Sequence, residues 1–307
     1  MNIPGINQLN KTYSIQTTTC TLKFKTGPGN IPQVEIQNKQ STAIISLQGA
    51  HLLSWVPKDE EDVIWLSEDA SFNPGKSVRG GIPVCWPWFG AHESNSTYPA
   101  HGFARTVNWQ VCNTQEQASG ETQITFKLET EQLPENLQIM WPQKTTAEYV
   151  LTIGKNLTLE LITHNNSNQA ITIGQALHTY FNVQNVTDVN VVGLEGKTYL
   201  DKPDNFKQKK QKGPITIDKE VDRVYINTTD DVIIDNKKRK IIISKQGSES
   251  TVVWNPWKAV AENMGDLGKE GYLKMLCVES ANAADDIRKI DSGESHQLSV
   301  SYKVDKS

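Results

Sequence analysis

Apolar residues along this chain recur with a period of two, in short runs of Val, Ile, Thr and Leu broken by turn residues at intervals of roughly 8 to 12, the spacing of an antiparallel sandwich or barrel. The run over 42–47 leads through Gly49 into 51–56, and 121–129 alternates over Ile124, Phe126 and Leu128. Residues 147–153 and 157–163 flank Gly154-Lys155-Asn156, which predicts a hairpin. Further runs at 170–173, 189–192, 232–234, 240–244, 250–254, 273–279 and 296–304 have the same character. Helical spacing is confined to short turns around 130–133, 258–264 and 284–289. The predicted fold class is all-β: packed antiparallel sheets that bury alternate residues between them. The pattern runs from about residue 20 to 304 with no linker rich in Pro, Gly or Ser and no fixed-period repeat, so a single domain over 1–307 is expected.

Composition narrows the partners. The 31 basic and 35 acidic side chains are interspersed and leave a net charge of -4, which argues against the basic face that nucleic acid requires. The one basic cluster, from Lys207 to Lys212, lies between Asp204 and Gly213 and reads as a solvated loop. No stretch approaches the roughly 18 consecutive apolar residues of a membrane span. The N-terminal MNIPGINQLNKTY lacks the cationic and apolar regions of a signal peptide, so a cytoplasmic protein is expected, a monomer without nucleic-acid or membrane partners. Cys20, Cys85, Cys112 and Cys277 show no C-x-x-C spacing and read as buried free thiols rather than a zinc knuckle or redox pair. No His or Cys pair has ligand spacing, so no metal is expected, although His51 and His92 could in principle join a distant site.

Five places could carry chemistry. The segment R-G-G-I-P-V-C-W-P-W-F-G from Arg79 cannot be a regular central strand, because two glycines, two prolines and three aromatics interrupt it. Gly80 and Gly81 could bring backbone close to a ligand, and Arg79 offers a fork to an anion. Trp86 or Trp88 either gives a sugar an apolar platform or plugs the end of the sandwich. In Y-P-A-H-G-F-A-R, His101 and Arg105 flank a glycine and could face one pocket, or His101 is simply structural. His178 lies in the apolar run A-L-H-T-Y-F, where burial would depress its pKa; it is either an acid or base, or a core histidine bonded to backbone. Asp222 and Arg223 would point to opposite sides of an extended strand. Glu279 closes the apolar run L-C-V-E-S, where an ionisable group is costly unless it is paired or functional.

These motifs, with D-R-V-Y and W-N-P-W in the same order, resemble the glucose-6-phosphate 1-epimerases, the hexose-6-phosphate mutarotase branch of the aldose 1-epimerase superfamily, over residues 42–304. The resemblance implies a β-supersandwich of galactose-mutarotase type and an isomerase that interconverts the anomers of a hexose phosphate. It places the catalytic pair on His178 and Glu279, with Glu279 taking the C1 hydroxyl proton while His178 protonates the ring oxygen. No cofactor is implied, because only protons move. His101 and Asp222 match positions that hold the sugar, and Arg79 and Arg105 match arginines that hold the 6-phosphate; with Trp86 these five form the expected substrate contacts. A His178 protonated at rest by the nearby carboxylate is expected. Ala100 stands where many relatives carry Gln, and Gln143 to Thr146 and the W-P-W segment also depart from the usual form. Free aldoses are the alternative substrate, and a sugar-phosphate sensor without turnover the alternative class. A hydrolase or lyase ranks last, because no second carboxylate stands in a comparable motif.

Overall fold

The computed structural model describes residues 4–306; residues 1–3, the head of the stretch read for a signal peptide, and residue 307 lie outside it. Alternation becomes strand where it is longest. Thr122–Glu129, Thr145–Ile153 and Leu157–Asn165 each bury every second side chain, so Ile124, Phe126, Leu128, Tyr149, Leu151, Leu159 and Leu161 fill one face. The last two strands form the expected hairpin, with Leu157 opposite Ile153 and the Gly154 N–H donating to the Asn156 carbonyl at 3.0 Å.

Three main sheets result. A five-stranded meander runs in chain order through Ile15–Gln16, Cys20–Thr26, Pro32–Asn38, Ser41–Ser46 and His51–Pro57. An eight-stranded sheet has the spatial order Asn190–Val192, Val232–Asp235, Arg239–Gln246, Ser295–Lys306, Leu157–Asn165, Thr145–Ile153, Thr122–Glu129 and Gln110–Glu116. In the other eight-stranded sheet, the main path is Lys207–Lys210, Thr198–Asp201, Val221–Ile226, Ser250–Asn255, Met275–Asn282, Gln175–Leu177 and Val84–Cys85, with Tyr180–Asn182 also paired to Met275–Asn282. A continuous apolar core reaches from Leu9 to Tyr302 and is built around Trp55, Trp109, Tyr149, Phe24, Phe126 and Phe181, side chains supplied by all three sheets.

The expected helical turns appear as Thr130–Gln132, Trp257–Ala261 and Ala284–Asp286. The last does not continue to 289: Arg288–Ile290 pairs with Ile171–Ile173 in a small two-stranded sheet. A helix over Ile6–Tyr13 was not legible, because eight residues with one buried position, Leu9, are too few to establish a period. It is docked by Asn10, whose amide both donates to the Phe24 carbonyl and accepts from the Phe24 N–H. The lysine cluster is corrected as well, since Lys207–Lys210 is the edge strand of its sheet and pairs with Thr198–Asp201. Cys20, Cys85 and Cys277 are buried, whereas Cys112 is exposed, as it falls on the solvent side of the strand Gln110–Glu116.

Candidate active site

The site is framed by an interruption in one strand. Leu177 pairs with Ser280 and Tyr180 with Cys277 along the same edge of Met275–Asn282, so residues 178 and 179 leave the ladder opposite Val278 and Glu279. His178 turns its own N–H to the Pro83 carbonyl at 3.0 Å, and its imidazole stands with Nε2 3.4 Å from Glu279 Oε1. His178 is 9% exposed and Glu279 1%. Neither His178 Nδ1 nor Glu279 Oε2 has a hydrogen-bond partner. An unsatisfied buried polar atom costs about 1–3 kcal/mol, and this site holds two.

Aromatic rings fix the imidazole. Tyr180 lies two residues on and stacks on it at 4.9 Å with the planes 12° apart, while Trp254 and His101 meet it edgewise at 5.9 Å each. His101 is placed by a left-handed turn: its φ is +66°, its N–H donates to the Gly90 carbonyl at 2.7 Å, and its Nδ1 accepts from the Gly90 N–H at 3.3 Å. Gly102 continues that turn at φ +69°, so close to the backbone that a Cβ there would lie 2.0 Å from the Trp86 carbonyl oxygen.

The cations are held in different ways. Arg79 donates from Nε to Asp266 Oδ1 and from Nη1 to the Tyr180 hydroxyl, each at 3.0 Å. Arg105 sits in the turn Ala104–Thr106 and donates from Nη2 to the Ala100 carbonyl at 2.9 Å. Ala100 thus contributes its backbone where a Gln side chain was expected. Asp222, on Val221–Ile226, accepts from Lys202 Nζ at 2.7 Å. Its neighbour Arg223 goes the other way, to Gln211 and the face of Tyr199, as alternation requires.

The electrostatics differ from the expectation of a protonated histidine. Burial pushes His178 well below its usual range, and the neighbouring His101 ring and the positive charges of Arg105 and Arg79 oppose its protonation further. Burial raises Glu279 well above the ordinary carboxylate range with help from Asp222, against the opposing pull of Lys202 and Arg105. The resting pair is therefore neutral at the histidine, because desolvation and surrounding cations outweigh a carboxylate that itself resists ionisation. His101 is pushed down to about 3 by burial, Arg105 and Lys202, and serves as a neutral ring. Burial also raises the Cys85 thiol to about 12 and pushes Cys277 well above the usual thiol range, which removes both as nucleophiles at neutral pH.

The structure brings His178, Glu279, His101, Asp222, Arg79 and Arg105 into one electrostatic neighbourhood, and one expected contact fails. Trp86 is 0% exposed, with its indole N–H donating to Thr163 Oγ1 at 3.0 Å and its ring edge-on to Phe103, so it offers no face to a sugar. Trp86 and Trp88 are buried and plug the sandwich, the other reading of that segment, whereas Phe89 is partly exposed and meets the His101 ring at 4.8 Å. Trp86→Phe is expected to lower stability by about 1–3 kcal/mol in urea unfolding, through lost volume and the lost indole hydrogen bond to Thr163, which keeps its bond to Gln175, with no change in substrate KM. A raised KM at unchanged stability would return Trp86 to the site.

Sequence reasoning missed Tyr180, Lys202 and Asp266. Tyr180 had a signal, since residues i and i+2 share a face of an extended chain. Lys202 and Asp266 lie in polar turns that nothing distinguishes. The site is also distinct from a cavity of about 510 Å³ between Asp69, Lys258, Glu262 and Tyr272, whose charged residues are solvent-exposed.

The model of the aldose 1-epimerase family matches residues 32–303. A protein of Escherichia coli, provisionally described as a glucose-6-phosphate 1-epimerase, is 37% identical over 276 residues that cover 89% of this chain and 90% of that one. The crystal structure of a protein from Salmonella typhimurium, provisionally described as a mutarotase, matches with a TM-score of 0.85 at 31% identity and covers 98% of this chain and 99% of its own. A galactose mutarotase-like protein from Lactobacillus casei, 16% identical, matches with a TM-score of 0.70 over 89% of this chain and 100% of that one, a likeness of fold. The sheets described above are thus those of the galactose-mutarotase-like β-supersandwich.

Proposed function

The chain belongs to the aldose 1-epimerase family and is an isomerase, and on that premise we propose that it interconverts the α and β anomers of D-hexose 6-phosphates, glucose 6-phosphate first. The observation that carries the reading is the buried pair His178 Nε2 and Glu279 Oε1, 3.4 Å apart. A cyclic hemiacetal bears its two reacting oxygens, the ring oxygen and the C1 hydroxyl, on one carbon. Opening it requires a proton to leave one oxygen as another arrives at its neighbour, which demands an acid and a base side by side.

The mechanism follows from those charges. Glu279 as carboxylate takes the hydroxyl proton while protonated His178 delivers one to the ring oxygen; the C–O bond breaks, the aldehyde forms, C1 rotates, and closure on its other face reverses both transfers. At rest the shared proton favours Glu279. A bound phosphate dianion neutralises the positive charge of Arg79, which depresses His178, and so eases transfer of that proton to the imidazole, whereas Arg105 depresses His178 and Glu279 alike and its neutralisation leaves the balance between them unchanged. The substrate's own anion then sets the active protonation state. Arg79 already has Asp266 as a partner, but Arg105 donates to a backbone carbonyl and would meet no anion beside a neutral sugar, which favours a phosphorylated substrate over a free aldose.

Exchange NMR on the wild-type protein tests the proposal. Anomer exchange of glucose 6-phosphate is expected to accelerate at least 100-fold more per enzyme than that of glucose or galactose. Equal acceleration of all three would point to a free-aldose epimerase, and binding of the phosphosugar without acceleration to a sensor.

A further inference from the structure

The turn Lys202–Asp204 leaves the strand Thr198–Asp201 at the edge of the site, and its backbone is fixed independently of Lys202. Lys209 bridges Asp201 and Asp204 from the neighbouring strand, which pins the turn from behind. Lys202 is left to reach across to Val221–Ile226, where its ammonium meets Asp222. The Asp222 side chain is 14% exposed and that of Lys202 55%. A half-exposed ion pair of this kind adds little to stability, which does not account for the placement.

The position of the ammonium is informative. Asp222 lies opposite Trp254 in the ladder, and the Trp254 ring meets His178 edgewise at 5.9 Å, so the ammonium that Asp222 holds stands beside the site rather than on remote surface, where its charge acts on Glu279 and His101 as does that of Arg105. One N–H is directed at Asp222, and an ammonium has three. The exposed part of the side chain keeps the remaining donors available.

Resting on the reading of the site as one for hexose 6-phosphates, we propose that Lys202 is a substrate-reading residue, a third cation that Asp222 holds ready and that binds the phosphate together with Arg79 and Arg105. A third positive group suits a dianion that two guanidiniums would not fully surround. The lysine also keeps Asp222 from meeting the incoming phosphate as a bare negative charge.

Two measurements on the full chain test this. In Lys202→Met, KM for glucose 6-phosphate is expected to rise about tenfold with kcat within about threefold of wild type, and Lys202→Arg is expected to recover most of the loss. Isothermal titration with inorganic phosphate alone is expected to show at least fivefold weaker binding to Lys202→Met. A fall in kcat at unchanged KM would show that Lys202 acts only by positioning Asp222, and unchanged phosphate affinity would likewise overturn the assignment. If the wild-type protein turns over no phosphosugar, the proposed function fails on its own, while weakened phosphate binding by Lys202→Met would still support the contact.

Discussion

Glu279→Gln is expected to lower kcat for anomer exchange by about 10³-fold, within the range of about 10²–10⁴ that a positioned acid–base group contributes. The amide preserves shape and can still donate a hydrogen bond, but it cannot take a proton from the sugar. Folding should survive, since the position is already adapted to a neutral side chain. Stability provides a second readout with a definite sign. Because the folded-state pKa of Glu279 is raised, the wild-type fold binds more protons than the unfolded chain, and its stability falls as pH rises from the ordinary carboxylate range through the raised value. The variant lacks this loss. Thermal melts should therefore show Glu279→Gln gaining on wild type between pH 5 and pH 8, and parallel curves would mean that Glu279 ionises freely in the fold.

Arg105→Ala and Arg79→Ala should both weaken glucose 6-phosphate, in separable ways. A charge-assisted hydrogen bond contributes about 1.5–3 kcal/mol, which corresponds to a factor of roughly 10 to 150 in affinity. Arg105 touches only a backbone carbonyl in the resting site, so its loss should appear in KM. Arg79 also donates to the Tyr180 hydroxyl, and Tyr180 is the ring on which His178 rests, so its loss should raise KM and lower kcat together. Steady-state kinetics by exchange NMR separate the two. A variant of either arginine with an unaltered KM would remove the phosphate from this part of the site.

The parts of the fold written in long alternation were legible: the hairpin at Gly154 and the fully alternating strand Thr122–Glu129 follow from period two alone. The helix Ile6–Tyr13 was not, because Asn10 docks it by side-chain bonds that no periodicity announces. In the site, His178 and Glu279 stood out as ionisable groups in apolar runs, and the interruption opposite residues 278 and 279 places them together. Their protonation was misjudged, because it depends on cations and on Asp222 brought from distant segments. Trp86 was misplaced because an aromatic beside glycine and proline reads the same whether it faces a sugar or the core. Lys202 and Asp266 were invisible, being ordinary charges in polar turns whose neighbours exist only in three dimensions.

The strand Lys207–Lys210 has a bearing on the behaviour of concentrated solutions. An open sheet edge presents unpaired N–H and C=O groups on which another molecule can template, the first step towards aggregation. Here Lys209 is tied to Asp201 and Asp204, while the exposed Lys207 and Lys210 project to opposite faces of the edge, so a second chain could not extend the sheet without desolvating an ammonium on either side. Glu279 lies on the fifth strand from that edge, so the sheet that carries the site is the one whose end these lysines occupy. Lys207→Val with Lys210→Val is accordingly expected to lower solubility at high protein concentration, as is high ionic strength, where the lysine charges are screened, and unchanged solubility in both would show that these lysines do not protect the edge.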